Sequence, residues 1–231
     1  GFGGGSTYLA LLLIWDVPYY IFPVIALFCN IIVVTGNSIN YVRAGNHNLK
    51  SLIPFIIGSI PSAFVGGTLI IEKEIFEILL FLVLSVAGIL LLINIKAYED
   101  KKIIIKKLNY FVSILIGSFL GLISGLIGIG GGIFLSPILF LLKADKPKNI
   151  ITTASLFILL NSIFGIFGQL TKDNIINELS SYLPLFLVVL IGGLIGNYLN
   201  IKIFSNRTLT LITSLLVILV AFRMGLKLFY N

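Results

Sequence analysis

The chain has 231 residues, 58% of them hydrophobic and 11% charged, with a mean hydropathy of +1.12, where a soluble domain carries about a quarter charged residues. That composition excludes a soluble globular domain and predicts an integral membrane protein. Sixteen Lys and Arg against nine Asp and Glu give a net charge of +7, read as the cationic loops that orient a membrane chain and not as a nucleic-acid surface, while a single cysteine, Cys29, excludes an intrachain disulfide, a CxxC metal site and a thiol relay.

Spanning a bilayer takes about twenty apolar residues, and charged residues mark the ends of each candidate. The opening GFGGGSTYLA starts at Gly1, and the apolar stretch from Gly5 to Trp15 is too short to cross alone. Because a second copy of this glycine motif is preceded by a long apolar segment, a further membrane segment is expected ahead of Gly1. Three full spans follow, Tyr19 to Ile39, Ser51 to Ile71 and Phe76 to Ile95, and then a basic linker, Lys96 to Lys107. The region from Asn109 to Leu142 is long enough for two short passes but is interrupted at Gly128, Gly130, Gly131 and Gly132. Three further spans close the chain, Ile150 to Leu170, Leu183 to Ile203 and Leu209 to Leu228. Unbroken apolar runs, not the alternating strands of about ten residues that build barrels, predict an all-α integral membrane protein. Tyr19, Tyr20, Tyr41, Tyr182, Tyr198 and Tyr230 mostly fall near span ends, where interfacial anchoring accounts for them without a partner. They leave the oligomeric state open.

The chain reads as a duplication. Aligning Gly1-Phe-Gly-Gly-Gly5 with Gly128-Ile-Gly-Gly-Gly132 sets an offset of 127; Asp16-Val-Pro18 then meets Asp145-Lys-Pro147 at 129, and Leu52-Ile-Pro54 with Gly66 meets Tyr182-Leu-Pro184 with Gly196 at 130. Each half is a glycine break, a short segment and three spans. Cytoplasmic loops are enriched in Lys and Arg. If the region 109–142 enters and returns, twelve basic residues lie on the side of the linker and four opposite; if it crosses once, the split is ten to six. The returning path is favoured, and it gives the halves opposite topology, an inverted repeat with substrate held near the midplane. The expected division is a first repeat over 1–95 lacking its N-terminal helix, a basic cytoplasmic linker over 96–108 and a second repeat over 109–231. Together they form one multi-pass domain of the cytoplasmic (inner) membrane.

Backbone that leaves the helix inside a bilayer needs a cavity or protein to satisfy it, so a GxGGG run calls for a reason. Just after each run a helix is expected to restart, at Ser6 and at Ile133, presenting unpaired N–H groups and the positive end of a helix dipole. Such ends attract anions. Two of them facing each other would bind an anion without a cationic side chain, and no Lys, Arg, Asp or Glu lies well inside any span, Arg223 coming nearest. Recognition then falls to backbone and neutral polar groups, with the mid-span amides Asn30 and Asn161 the sharpest because an unpaired amide there is costly. The candidate substrate-binding set is Gly3, Gly4, Gly5, Ser6, Asn30, Asn37, Gly130, Gly131, Gly132, Ile133, Ser155 and Asn161. The plainer alternatives are interhelical hydrogen bonds for the amides and close helix packing for glycines such as Gly58, Gly66, Gly192 and Gly196.

Gly125-Leu-Ile-Gly-Ile-Gly-Gly-Gly132 followed by Pro137, repeated as Gly1-Phe-Gly-Gly-Gly5, resembles the sulfite exporter TauE/SafE family of membrane permeases over essentially the whole chain. The resemblance implies a transporter of sulfur-containing anions such as sulfite, sulfoacetate and other organosulfonates. One departure is Ala10 where the second copy has Pro137. Neither the exact substrate nor the direction of transport is fixed by the resemblance. With no carboxylate in a span, any proton coupling would travel on the substrate, as a protonated anion such as bisulfite, or be absent.

Other classes fit less well. A membrane hydrolase needs a nucleophile and a base brought together, but the only histidine, His47, lies in the polar loop Arg43 to Lys50 and no G-x-S-x-G elbow occurs. A phosphate loop should follow a strand in an α/β unit. No enzyme, metal or cofactor is expected. A channel-like anion conductor, a permease for a non-sulfur substrate and a structural subunit with no pathway of its own stay open.

Overall fold

The computed structural model describes residues 4–15, 17–45, 48–93, 105–106, 108–172, 175–202 and 206–230. Among them the secondary structure is helical throughout. Two half-helices, α1 (Gly5–Ile14) and α6 (Gly132–Leu141), accompany the long helices α2 (Phe22–Arg43), α3 (Leu49–Thr68), α4 (Lys73–Ile93), α5 (Tyr110–Ile127), α7 (Pro147–Gln169), α9 (Leu183–Lys202) and α10 (Asn206–Tyr230). A 3-10 turn at Tyr19–Ile21 leads into α2, and the short helix α8 (Ile175–Leu179) with a 3-10 turn at Ser180–Tyr182 leads into α9. Five helices, α2 with its leading turn, α3, α4, α5 and α7, are long and apolar enough to cross a membrane. With α9 and α10 at 20 and 25 residues, the six expected spans each correspond to a long helix, and the protein is a multi-pass membrane protein.

The helix ends follow local chemistry. The Asn48 side chain accepts from Ser51 N at 3.4 Å to cap α3, and Asn109 accepts from Phe111 N at 2.9 Å to cap α5. Pro147 opens α7 at the first helical position, where its missing N–H is not needed. The half-helices have no side-chain cap. Each is started by a glycine in the left-handed region, Gly4 at φ 81° and Gly131 at φ 75°, which other residues enter at a cost of about 1–2 kcal/mol. Both helices begin one residue earlier than expected, at Gly5 and Gly132.

The two ends of 109–142 lie together. Lys106 N–H donates to the Lys143 carbonyl at 3.0 Å, so α5 and α6 form a hairpin that leaves the bundle on the face where it entered. The same face is stitched by Asp145, nearly buried, whose carboxylate accepts from Asn48 Nδ2 at 2.7 Å, Lys146 N at 2.7 Å and Asn149 Nδ2 at 2.9 Å. The α2–α3 and α6–α7 connections are thereby tied together.

Contact order along the helices gives their directions. Ser38 meets Ser155, with the two hydroxyl oxygens 2.9 Å apart, and Leu27 meets Gly165; α2 and α7 therefore pack antiparallel. Gly88 meets Ile218 and Gly225 meets Phe81, so α4 and α10 do likewise. In contrast, α3 and α5 run parallel along a seam in which Cβ atoms on Gly117, Gly121 and Gly125 would overlap the carbonyl oxygens of Phe55, Ser59 and Ala63. Gly58 and Gly66 press back against Ile114 and Leu122 from the other side. Small residues let helix backbones approach closely where lipid offers no hydrophobic drive to associate. The packing explanation thus accounts for Gly58 and Gly66 but not for Gly192 and Gly196, which have no neighbouring atom within 4 Å among the described residues. The face of α9 around them is apolar and exposed, with Leu187, Val188, Ile191, Leu194 and Ile195 turned outward.

Candidate functional site at two helix breaks

The two glycine breaks meet inside the bundle around one side chain. A Cβ on Gly5, at the start of α1, would lie 2.7 Å from the Ile129 carbonyl oxygen and 3.1 Å from Asn30 Nδ2. On Gly130, just before α6, it would lie 2.9 Å from the same Nδ2 and 3.4 Å from Ser162 Oγ. The Asn30 amide on α2 is therefore wedged between the breaks, donating to the Gly128 carbonyl at 3.2 Å. The break itself holds three successive departures from helical backbone, at Gly128, Gly130 and Gly131, with φ of 91°, 81° and 75°. Pro23, one turn above Leu27 on α2, backs Gly128 so closely that a Cβ there would come 2.5 Å from its Cα.

Helix α7 supplies the opposite wall. Gly131 faces the Phe157 ring and Gly132 faces Ile158; Asn161 and Ser162, one turn further on, share that face. Asn161 Nδ2 donates to the Phe157 carbonyl at 2.8 Å. Among the described residues, the buried atoms Asn30 Oδ1, Asn161 Oδ1 and Ser162 Oγ have no hydrogen-bond partner, nor has Ser124 Oγ one turn before Gly128, all on fully buried residues. Buried polar groups are nearly always paired, so this concentration is unusual. Ile133, buried, has its N–H in the first turn of α6, where N–H groups have no partner within the helix. The chemical character is that of two positive helix ends, each worth about half an elementary charge, with neutral side chains and, among the described residues, no carboxylate. Among the described residues no three His, Cys, Asp or Glu gather to hold a metal ion.

Of the residues singled out from sequence, the structure gathers Gly4, Gly5, Asn30, Gly130, Gly131, Gly132, Ile133 and Asn161 at this place. Gly3 lies outside the described residues, as does the side chain of Ser6. Ser155 lies about two turns before Ser162 on α7, where its hydroxyl pairs with that of Ser38. Asn37 is seven residues past Asn30, about 10 Å along α2, and is half-buried. Ser162, outside the expected set, lies against Gly130, and Ser124 sits one turn before Gly128 on α5, its carbonyl accepting from Gly128 N; their sequence signal is weak because a mid-helix hydroxyl can satisfy itself on a carbonyl one turn back.

A polar chain leads outward from the break. Gln169, fully buried at the end of α7, donates through Nε2 to the Gly125 carbonyl at 2.7 Å and accepts from Lys172 Nζ at 2.9 Å. Burial pushes the Lys172 ammonium down to about 8, because removing it from water disfavours its charged form.

A family model described as "Sulfite exporter TauE/SafE" matches residues 1–224. Among known proteins the chain is similar to a probable membrane transporter protein of Sinorhizobium fredii, 26% identical with 100% of this chain and 91% of that protein covered. A probable membrane transporter protein of Bacillus subtilis is 25% identical with the same coverage. One from Methanocaldococcus jannaschii is 29% identical, covering 88% of this chain and 79% of the relative. No solved structure matches.

Proposed function

Since the chain belongs to the sulfite exporter TauE/SafE family, we propose that it is a secondary transporter for small anions of the sulfite or organosulfonate class, with its site at the paired helix breaks. The observation that carries this reading is the convergence of Gly5 and Gly130 on the Asn30 amide. It brings the first turns of α1 and α6 to one buried place, where backbone N–H groups and two dipole ends favour negative charge. Neutral polar surroundings suit a substrate that must also leave, since a buried lysine or arginine would hold it more firmly.

The antiparallel crossings of α2 with α7 and of α4 with α10 support two inverted repeats, 1–95 and 109–231, joined by the linker 96–108. A two-fold axis in the membrane plane turns each helix against its own counterpart, whereas an axis along the normal would leave the pairs parallel. The half-helices α1 and α6 fit the same relation, being ten residues each and 127 apart. In this conformation Asn30 and Asn161 are sealed from solvent, as an alternating-access site is between its open states.

The test is uptake of sulfite and of sulfoacetate into proteoliposomes by the wild type and by Gly131→Leu. Saturable uptake by the wild type that the variant loses, with the variant folded, supports the site. Saturable uptake that survives the substitution moves the site elsewhere, and no uptake of either anion removes the substrate class.

A further inference from the structure

The orphan atoms at the breaks are of one kind where their kind can be fixed. The amide orientations of Asn30 and Asn161 are forced, because the carbonyls of Gly128 and Phe157 can only accept, so each NH2 must face its carbonyl. The unpartnered atom is then Oδ1 in both residues, and an amide oxygen can only accept. The antiparallel register set by Ser38 with Ser155 and Leu27 with Gly165 puts Asn30 level with Ser162, so the two asparagines lie within about one turn of each other across the α2–α7 interface. A ligand seated here meets donors from the helix ends and acceptors from the amides.

A fully ionised oxyanion matches only half of that surface, since all its oxygens accept and would set lone pairs against the two Oδ1 atoms. A monoanion that keeps one proton matches both halves: its bare oxygens take the N–H groups of α1 and α6, and its O–H donates to an asparagine. A metal cation would pair with the Oδ1 atoms, but it would face two positive helix ends with no carboxylate to offset them.

Resting on the anion-transporter reading above, we infer that the site binds its substrate as a protonated monoanionic oxyanion, hydrogen sulfite being the sulfur-class example, with Asn30 and Asn161 as the acceptors that select the protonated form. No bond is made or broken. The proton enters and leaves on the substrate, so the protein carries it without a titrating side chain of its own in the membrane.

The test is the pH dependence of saturable sulfite uptake into proteoliposomes holding the full chain, with pH equal on both sides and varied across the second ionisation of sulfurous acid, against protein-free vesicles. Methanesulfonate, which has no ionisable proton left, serves as the comparison anion. The half-saturating concentration of total sulfite is expected to rise about tenfold per pH unit above that ionisation, while staying constant when expressed as hydrogen sulfite. Methanesulfonate is expected to saturate at least about tenfold less well, with no pH dependence. Asn161→Leu is expected to weaken hydrogen sulfite by about tenfold and to leave methanesulfonate within about twofold. Saturable uptake with a half-saturation in total sulfite that ignores pH overturns the inference, leaving the acceptors to water, while leaving the anion site intact. Dependence on sodium in place of the proton overturns it in favour of a cation. Failure of both anions to saturate overturns the sulfur-anion reading and this inference with it. The wild-type titration decides the matter even if the variant fails to fold.

Discussion

Glycine does two different jobs in this protein, and the seam between α3 and α5 and the break between α5 and α6 set them side by side. Along the seam, Gly117, Gly121 and Gly125 are helical, and what they supply is clearance for the carbonyls of Phe55, Ser59 and Ala63. At the break, Gly128, Gly130 and Gly131 supply backbone angles that α5 and α6 could not otherwise be joined by. Only two residues separate Gly125 from Gly128, so density of glycine says little about its purpose. Backbone angle says more: the seam glycines stay helical, as do the adjacent pairs Gly66-Gly67 and Gly192-Gly193, whereas Gly128, Gly130 and Gly131 take positive φ where the chain changes direction.

The largest effect should come from filling the seam. Gly125→Leu drives a side chain into the Ala63 carbonyl and towards the Gly67 nitrogen, both backbone and unable to yield. A loss of about 3 kcal/mol or more is expected, read as a collapse of thermal stability in detergent. Gly131→Ala should behave differently. Its left-handed φ costs about 1–2 kcal/mol, and its added methyl meets the Phe157 ring, which can turn aside. The fold should survive while anion uptake drops by about tenfold or more, because small displacements of binding groups are costly to turnover. If Gly131→Ala instead unfolds the protein as Gly125→Leu does, the distinction between clearance and direction fails.

Gly192→Ala sharpens the comparison from the other side, since Gly192 has helical backbone and an open face. Stability should stay level or rise by up to about 1 kcal/mol from helix propensity alone; a marked loss would mean that this face of α9 is covered. The smallest effect is expected at the outer end of the seam. Lys172, linked through Gln169 to Gly125, should react with an amine-directed reagent with a midpoint near pH 8, against about 10.4 for an unperturbed lysine. Because its folded value is lowered, the cost of burying its charge is present below about pH 8 and is relieved as the pH rises towards the unfolded value. Stability therefore gains slightly with pH in that window. A labelling midpoint at the ordinary lysine value would place Lys172 in water.

The long helices were legible because lipid leaves a composition signal twenty residues wide, and the breaks because left-handed backbone leaves Gly at Gly4 and Gly131. Asn30 and Asn161 stood out as amides in apolar surroundings. The same argument could not show that Asn30 and Asn161 lie beside the break while Asn37 and Ser155 lie further along α2 and α7, because residue type does not tell which face of a helix points at a partner. The α3–α5 seam was hidden for a related reason: an apolar face turned to lipid and one turned to another helix have the same composition. The short helix α8 leaves no signal in the sequence because five residues carry no periodicity.

The hydrogen bond from Lys106 to Lys143 has a consequence for how the chain is made. A hairpin that exits where it entered adds an even number of crossings, so the parity of the traversals after α4 is unchanged when synthesis reaches Pro147. Whatever direction the nascent chain has been given at Asn109, α7 inherits, and with it α9 and α10. If the ten residues of α6 ran straight on instead of turning back at Gly128–Gly131, every later helix would be inserted upside down. The parity of the whole second half is therefore decided by four residues of backbone.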